Sequence, residues 1–269
     1  VVVLSKIAPL GAFDSGVGGL SVLLEIRRLL PAEDLIYLAD SAHCPYGVKP
    51  VEDIRKRSLE VTDFLVSLGV KSVIVACNSA CVAGLDQLRA KYRQLPIIGV
   101  EPAIKPAHDL TRNGKIGVLA TKLTLNGERF SILVERYATG IEVYTQPAPG
   151  LVEIVESGAI QTPETEKLLS EYLQPLLAKG IDTLVLGCTH YPFLRPLAQK
   201  ICGPGVTILD TGLAVAKQTE RVLKLTALAT SHTGTGKETF YTSGDPDVVA
   251  AVIRKLWGDP QLQVKKADI

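Results

Sequence analysis

Gly69-Val70-Lys71-Ser72-Val73-Ile74-Val75-Ala76-Cys77-Asn78-Ser79 is the stretch that decides the fold. A β-branched run (Val73, Ile74, Val75) stops at a cysteine followed by small polar residues, the pattern of a parallel strand buried on both faces. Open α/β sheets hold their ligands at the carboxyl ends of such strands, so Cys77 stands where a reactive group is expected. The same order returns in Gly180-Ile181-Asp182-Thr183-Leu184-Val185-Leu186-Gly187-Cys188-Thr189-His190, and in both copies the cysteine follows the glycine by eight residues.

Working outward from the first copy, residues 7–13 read as a strand ending at Asp14-Ser15-Gly16-Val17-Gly18-Gly19. Residues 21–30 read as a helix stopped by Pro31, and 35–38 as a strand ending at Ala39-Asp40. Cys44-Pro45-Tyr46-Gly47 is a turn-like loop. Pro50 opens a helix in which Ile54, Val61, Leu65 and Leu68 keep helical spacing, with Gly69 as its cap. After Cys77 come a helix to about residue 92 and a strand at 97–100. Around the second copy the pattern gives a strand at 115–119, a helix to about 137, a strand at 141–145, and helices from Gly150, Pro163 and Pro192. A strand at 206–209, a helix at 214–228, a polar loop at 230–237, a strand at 239–241, a helix at 245–257 and a strand at 262–264 complete the chain.

Strands alternating with helices of this length predict an α/β fold with mainly parallel sheets flanked by helices. From Gly11 to Cys77 the lag is 66 residues, and from Gly117 to Cys188 it is 71. This similarity predicts two related, pseudo-symmetric domains: residues 1–99 with 212–269 on the Cys77 side, and 100–211 on the Cys188 side. Ligands favour the cleft between such domains.

The 269 residues are 46% hydrophobic and 21% charged, a globular composition, and the net charge of +1 provides no field toward nucleic acid or a membrane surface. No apolar stretch approaches the roughly 20 residues of a spanning helix. The opening Val1-Val2-Val3-Leu4-Ser5-Lys6-Ile7 reads as a frayed end entering the first strand, not as a signal peptide. Five widely spaced cysteines fit a reducing, cytoplasmic setting rather than a disulfide scaffold.

Four constellations bear on chemistry. Gly16-x-Gly18-x-x-Ser21 with Asp40 beyond the next strand is half of a dinucleotide fingerprint; without the third glycine it reads better as a tight strand-to-helix turn able to hold an anion. Gly234-x-Gly236-Lys237-Glu238 departs from a phosphate loop at Ser231 and Glu238 and reads as a solvated loop. Cys188-x-His190 with Cys77 and His43 has donors for zinc, but without structural-zinc spacing, and a histidine beside a thiol serves equally as its proton partner. The expectation is no metal. Finally, Cys77 and Cys188 form a candidate acid/base pair. Each sits where a strand hands over to a helix, so amide dipoles are expected to favour the thiolate. Two thiols across a cleft would approach opposite faces of one carbon, one removing a proton and the other delivering one.

These residues resemble the glutamate racemase family, within the wider aspartate/glutamate racemase group. The matching stretches are Phe13-Asp14-Ser15-Gly16-Val17-Gly18-Gly19-Leu20-Ser21-Val22, Pro45-Tyr46-Gly47, Ala76-Cys77-Asn78, Gly99-Val100-Glu101-Pro102, Gly117-Val118-Leu119-Ala120-Thr121 and Gly187-Cys188-Thr189-His190-Tyr191-Pro192. The resemblance implies cofactor-free interconversion of L- and D-glutamate, supplying D-glutamate for peptidoglycan, in a homodimer with the site between two α/β domains. It implies that Cys77 deprotonates D-glutamate with help from Asp14, and that Cys188 deprotonates L-glutamate with help from His190 and Glu156. Ser15, Tyr46, Gly47, Asn78, Ser79, Thr121, Thr189 and His190, with Asp14, would hold the substrate. Tyr46 has loop packing as its alternative role, Thr121 helix capping and Glu156 an exposed position. Ser79, Cys81 and Glu153 depart from the family's usual residues. Racemisation of aspartate or another amino acid is the alternative activity, and binding and inhibition of DNA gyrase, known for some members, the non-enzymatic one.

Overall fold

The computed structural model describes residues 4–269; Val1, Val2 and Val3, part of the expected frayed start, lie outside the described residues. The chain divides into two compact units, residues up to 100 with 212–269, and residues 101–211.

The first unit opens with β1 (Leu10–Asp14), α1 (Leu20–Leu29) and β2 (Leu35–Ala39). Two 3-10 turns follow, Ser41–His43 and Tyr46–Val48, with a cis Cys44–Pro45 bond between them. Then come α2 (Val51–Ser67), β3 (Ser72–Val75), α3 (Asn78–Lys91) and β4 (Ile97–Gly99). The second unit holds α4 (Ile104–Leu110), β5 (Lys115–Ala120), α5 (Lys122–Asn126), α6 (Glu128–Tyr137), β6 (Glu142–Pro147), α7 (Leu151–Glu156), α8 (Pro163–Ala178), β7 (Thr183–Leu186), α9 (Arg195–Cys202) and β8 (Thr207–Leu209). The chain then completes the first unit with α10 (Gly212–Leu225), β9 (Glu238–Thr242), α11 (Pro246–Trp257) and β10 (Val264–Lys266).

All pairings are parallel, so the expected α/β class is what the chain adopts. The first sheet runs β10-β9-β2-β1-β3-β4 and the second β6-β5-β7-β8. The second sheet thus repeats the order of the first four strands of the first. In each, the strand order reverses at a switch point, β1/β3 in one and β5/β7 in the other, and the crevice outside the carboxyl ends there is where such sheets bind ligands. Helices cover the strands because every residue of β1, β2, β3 and β7 is buried. Local signals fix several helix ends. Asp245 accepts from the Asp247 and Val248 amides at the start of α11, Pro246 follows it, and Gly258 closes the helix at φ +86°.

Several boundaries differ from the sequence reading. β1 begins at Leu10, not residue 7, because Ser5 accepts from the Ala8 amide in a turn that leaves Ile7 exposed. The helix expected to run to 137 breaks at Gly127, whose extended ψ of 139° ends α5 and whose carbonyl accepts from the Phe130 and Ser131 amides to start α6. The helix after Pro192 begins as a 3-10 turn, Tyr191–Leu194, before α9. The last strand lies two residues later, where Val264 pairs with Phe240. The glycine-containing loop at 230–237 is not simply solvated. A Cβ on Gly236 would lie 2.1 Å from the Glu33 carbonyl oxygen, and the Gly236 amide donates to Pro31 at 2.8 Å.

In the second unit Asp182 organises the turn before β5. It accepts from the Thr111 hydroxyl at 2.6 Å, the Arg112 and Asn113 amides at 2.7 and 2.8 Å, and the Thr183 hydroxyl at 2.9 Å. Burial alone would raise its pKa, but these donors hold it below the ordinary carboxylate value. Asp182→Ala is expected to lower unfolding free energy by about 1–3 kcal/mol in urea titrations at pH 7. Because the folded-state pKa is depressed, this contribution is complete above the unfolded pKa and is lost as pH falls through the folded value. The wild type and variant therefore converge at strongly acid pH.

Candidate active site

In the first unit, the register that pairs Phe13 with Val75 carries Asp14-Ser15 alongside Ala76-Cys77. The Ala76 amide donates to the Phe13 carbonyl at 2.8 Å, and Cys77 then leaves the sheet as the N-cap of α3, its carbonyl accepting from Cys81. Asp14 and Cys77 are both buried, at 0% and 4% exposure. The Asp14 Oδ1 accepts from the Ser15 amide at 2.5 Å and the Ser15 hydroxyl at 3.1 Å, and the Cys77 Sγ lies 4.0 Å from that hydroxyl.

The ionisation of Cys77 differs from the sequence expectation. The amides of Ala80 and Ser15 do point at the sulfur and favour thiolate, but burial, together with the charge and hydrogen bond of Asp14, outweighs them and pushes the thiol well above its ordinary pKa. Helix-terminal amides lower a thiol's pKa only when desolvation and a carboxylate do not oppose them. Cys77 therefore rests as a thiol beside the Asp14 carboxylate.

Asn78 and Ser79 open α3, each 4% exposed. Among the described residues, neither the Oδ1 nor the Nδ2 of Asn78 has a hydrogen-bond partner. Leaving a buried amide unpaired costs about 1–3 kcal/mol, and both polar atoms of Asn78 are available to pair with a polar group. Cys81, one turn on, donates from its thiol to the Val75 carbonyl at 3.4 Å and accepts from the Val100 amide at 3.2 Å, a packing role on β3 and β4.

Tyr46 is placed as loop packing as well. Its ring is fully buried and its hydroxyl donates to Asp40 Oδ2 at 2.5 Å. Beside it, Tyr46 and Gly47 start a 3-10 turn, where backbone N–H groups have no preceding carbonyl of the turn to donate to.

In the second unit, the pairing of Leu119 with Leu186 brings Ala120-Thr121 alongside Gly187-Cys188. The Cys188 Sγ lies 3.8 Å from His190 Nδ1, and His190 Nε2 lies 2.6 Å from Glu156 Oε1. A carboxylate on Nε2 assigns the proton there, and Nδ1 then faces the thiol as an acceptor. On α7, Glu156 is the carboxylate on the histidine, and Glu153, where the sequence departs from the family's usual residue, is exposed. The approach to α7 is pinned by hydroxyls: Tyr191 donates to Ala148 at 3.1 Å and Tyr172 to Pro149 at 2.8 Å, ahead of Gly150 at φ +85°. Thr121 caps α5, accepting from the Thr124 amide at 3.2 Å. Thr189 is buried directly after Cys188. A 3-10 turn, Tyr191–Leu194, follows Cys188 where the longer helix α3 follows Cys77.

A profile of the Asp/Glu/Hydantoin racemase family matches residues 18–219. The chain is 51% identical over 257 residues to the glutamate racemase of Ectopseudomonas mendocina, covering 96% of this chain and 97% of that one. It is 49% identical over 254 residues to that of Pseudomonas aeruginosa PAO1, covering 94% and 96%. The chain belongs to the Asp/Glu/hydantoin racemase family. Solved structures agree with that membership. A glutamate racemase from Bacillus anthracis superposes with a TM-score of 0.88 at 32% identity, covering 98% of each chain. A glutamate racemase from Francisella tularensis, in complex with D-glutamate, superposes at 0.85 and 30%, again covering 98% of each.

Within this family member, sequence reasoning missed the surroundings of Asp40. That carboxylate, singled out only for its place in a partial nucleotide fingerprint, accepts from Arg57 Nη2 at 2.7 Å, Arg57 Nε at 3.1 Å, Ser243 Oγ at 2.6 Å and Tyr46. Two of its partners, Arg57 and Ser243, lie 17 and 203 residues away, and no local pattern joins them to it. A carboxylate so fully engaged is not presented to a ribose, which removes the dinucleotide reading.

Proposed function

We propose that the chain interconverts L- and D-glutamate without a cofactor, by a two-base mechanism in which Cys77 deprotonates the D enantiomer and Cys188 the L enantiomer. One observation carries this reading: each unit ends the strand beside its switch point on a buried thiol with its own proton partner, Asp14 for Cys77 and the His190–Glu156 pair for Cys188.

In the D-to-L direction, Asp14 holds the proton of Cys77 while the thiolate takes the Cα proton. The Cα–H electron pair passes into the substrate carboxylate. The Cys188 thiol then gives its proton to the opposite face and is left as thiolate; when L-glutamate is the substrate, His190, its Nε2–H held on Glu156, is the acceptor at Nδ1 that takes the Cys188 proton. The reverse direction exchanges the roles. An α-hydrogen is a weak acid, so the rate rests on fixed donors to the developing enediolate and on thiols held roughly 3–3.5 Å from the carbon. Asn78, Ser15, Ser79, Thr189, Thr121 and the amides at Tyr46 and Gly47 are the candidate donors. Glutamate is favoured because the curated relatives at about half identity are named for it and one structural neighbour holds D-glutamate. The biological role proposed is supply of D-glutamate for peptidoglycan, in a cytoplasmic homodimer.

The test is polarimetry on L-glutamate, D-glutamate and both aspartate enantiomers with no added cofactor. Rotation of both glutamate enantiomers is expected to decay to zero, far faster than that of aspartate. Unchanged rotation with glutamate overturns the reading, and faster decay with aspartate transfers it to that substrate.

A further inference from the structure

Arg57 lies on α2, outside every motif that marks the site, yet its side chain is 10% exposed and forks onto a carboxylate that is wholly buried. Asp40 stands one residue beyond β2, and its amide donates to the Asp14 carbonyl at 2.9 Å, so the two acids end neighbouring strands. Asp40 accepts from both Arg57 nitrogens, from Tyr46 and from Ser243, while Ser243 Oγ also accepts from the Ala42 amide at 3.2 Å. The network therefore ties the end of β2, the 3-10 turns at 41–48, α2 and the segment after β9 into one unit. Cys44, between the two 3-10 turns, brings its Sγ to 3.9 Å from the Ser15 hydroxyl that the Cys77 Sγ approaches at 4.0 Å, which places the network beside that sulfur.

We propose that Arg57 is a positioning residue for Cys77: it neutralises Asp40 and fixes it on Tyr46, so that the negative field at the thiol comes from Asp14 alone rather than from two carboxylates. The idea rests on Cys77 being the reacting thiol. The groups that face this region are Asp14 from β1, Asp40 after β2, His43, Cys44 and Tyr46 from the 3-10 turns, and Arg57 with its second partner Glu60 from α2. Arg57 reaches Glu60 at 2.5 Å and His43 Nδ1 lies 3.1 Å from Asp40. Removing the guanidinium leaves a buried, unpaired carboxylate, which opposes a second negative charge on sulfur. Removing the Asp40 charge does the reverse.

The experiment follows carbamidomethylation of Cys77 by iodoacetamide at pH 8.5, read by peptide mass spectrometry, in the wild type, Arg57→Gln, Asp40→Asn and the double variant. Thiolate is the reacting form, so one unit of pKa displacement changes the rate about tenfold. Arg57→Gln is expected to react about tenfold more slowly than wild type and Asp40→Asn about tenfold faster, with the double variant returning toward wild type. Loosened packing would instead speed both single variants by exposing the sulfur. Both becoming faster, or neither changing, overturns the proposal. If Arg57→Gln does not fold, Asp40→Asn against the double variant decides: the double must react more slowly. Because alkylation is read without turnover, a protein inactive on glutamate still tests the electrostatic claim. Racemisation with unaltered alkylation removes it while leaving the activity standing.

Discussion

Replacing Cys77 or Cys188 by serine is expected to cut racemisation in both directions by about 10²–10⁴-fold, the range that a positioned general acid or base contributes. The loss applies in both directions from either single change because each turnover uses both groups, one as base and one as acid. A serine hydroxyl is far less acidic than a thiol, so neither Asp14 nor His190 can raise a useful population of its anion. The surroundings predict how the two variants differ. Cys77 is a thiol held protonated by burial and Asp14, whereas Cys188 faces an imidazole at 3.8 Å. Each variant should still bind glutamate, with inhibition by D- or L-glutamate analogues retained. Full activity in either variant, measured by polarimetry, would remove that cysteine from the mechanism.

Breaking the buried Lys71–Glu33 pair is expected to be the most damaging change to stability. The Lys71 ammonium lies 2.5 Å from Glu33 Oε2, with side-chain exposures of 0% and 3%. It also donates to the Lys6 carbonyl at 2.6 Å, and Glu33 Oε1 accepts from the Thr230 amide at 2.8 Å. The pair sits before β3 and β2, at the amino ends of the strands and far along the sheet from Cys77. Lys71→Met or Glu33→Gln leaves one charge buried without its counterion, at a cost of about 3–5 kcal/mol. The Lys71→Met/Glu33→Leu double variant removes both charges and should recover most of that loss. Urea denaturation of the three variants checks this. Single variants within about 1 kcal/mol of wild type would show that water or rearrangement compensates the charge.

Much of the fold was legible because its signals are local. A glycine, an apolar run and a cysteine mark β3 and β7 within eleven residues, and the β-α alternation around them dictates parallel sheets. The His190–Glu156 contact was reachable only through family resemblance, since 34 residues and a helix separate the two. What stayed hidden depends on partners distant in sequence. Arg57 falls between the apolar positions that mark α2 in the sequence, and only folding brings Asp40 to it. Lys71 stands just before β3, and nothing local marks Glu33 as its counterion. The thiol state of Cys77 was misread for a related reason: the helix amides were visible in the pattern, whereas burial and the approach of Asp14 belong to the packed sheet.

If two thiols handle the Cα hydrogen from opposite faces, the fate of that hydrogen in D₂O reports it. Protiated D-glutamate is incubated with the protein and no cofactor, and both enantiomers are separated at low conversion for mass analysis. L-glutamate is expected to carry deuterium at Cα from the first turnovers while the remaining D-glutamate stays largely protiated, with the mirror result from L-glutamate. L-glutamate that retains its protium, or deuterium entering both enantiomers equally from the start, would mean that one group carries the hydrogen and would contradict the two-thiol account.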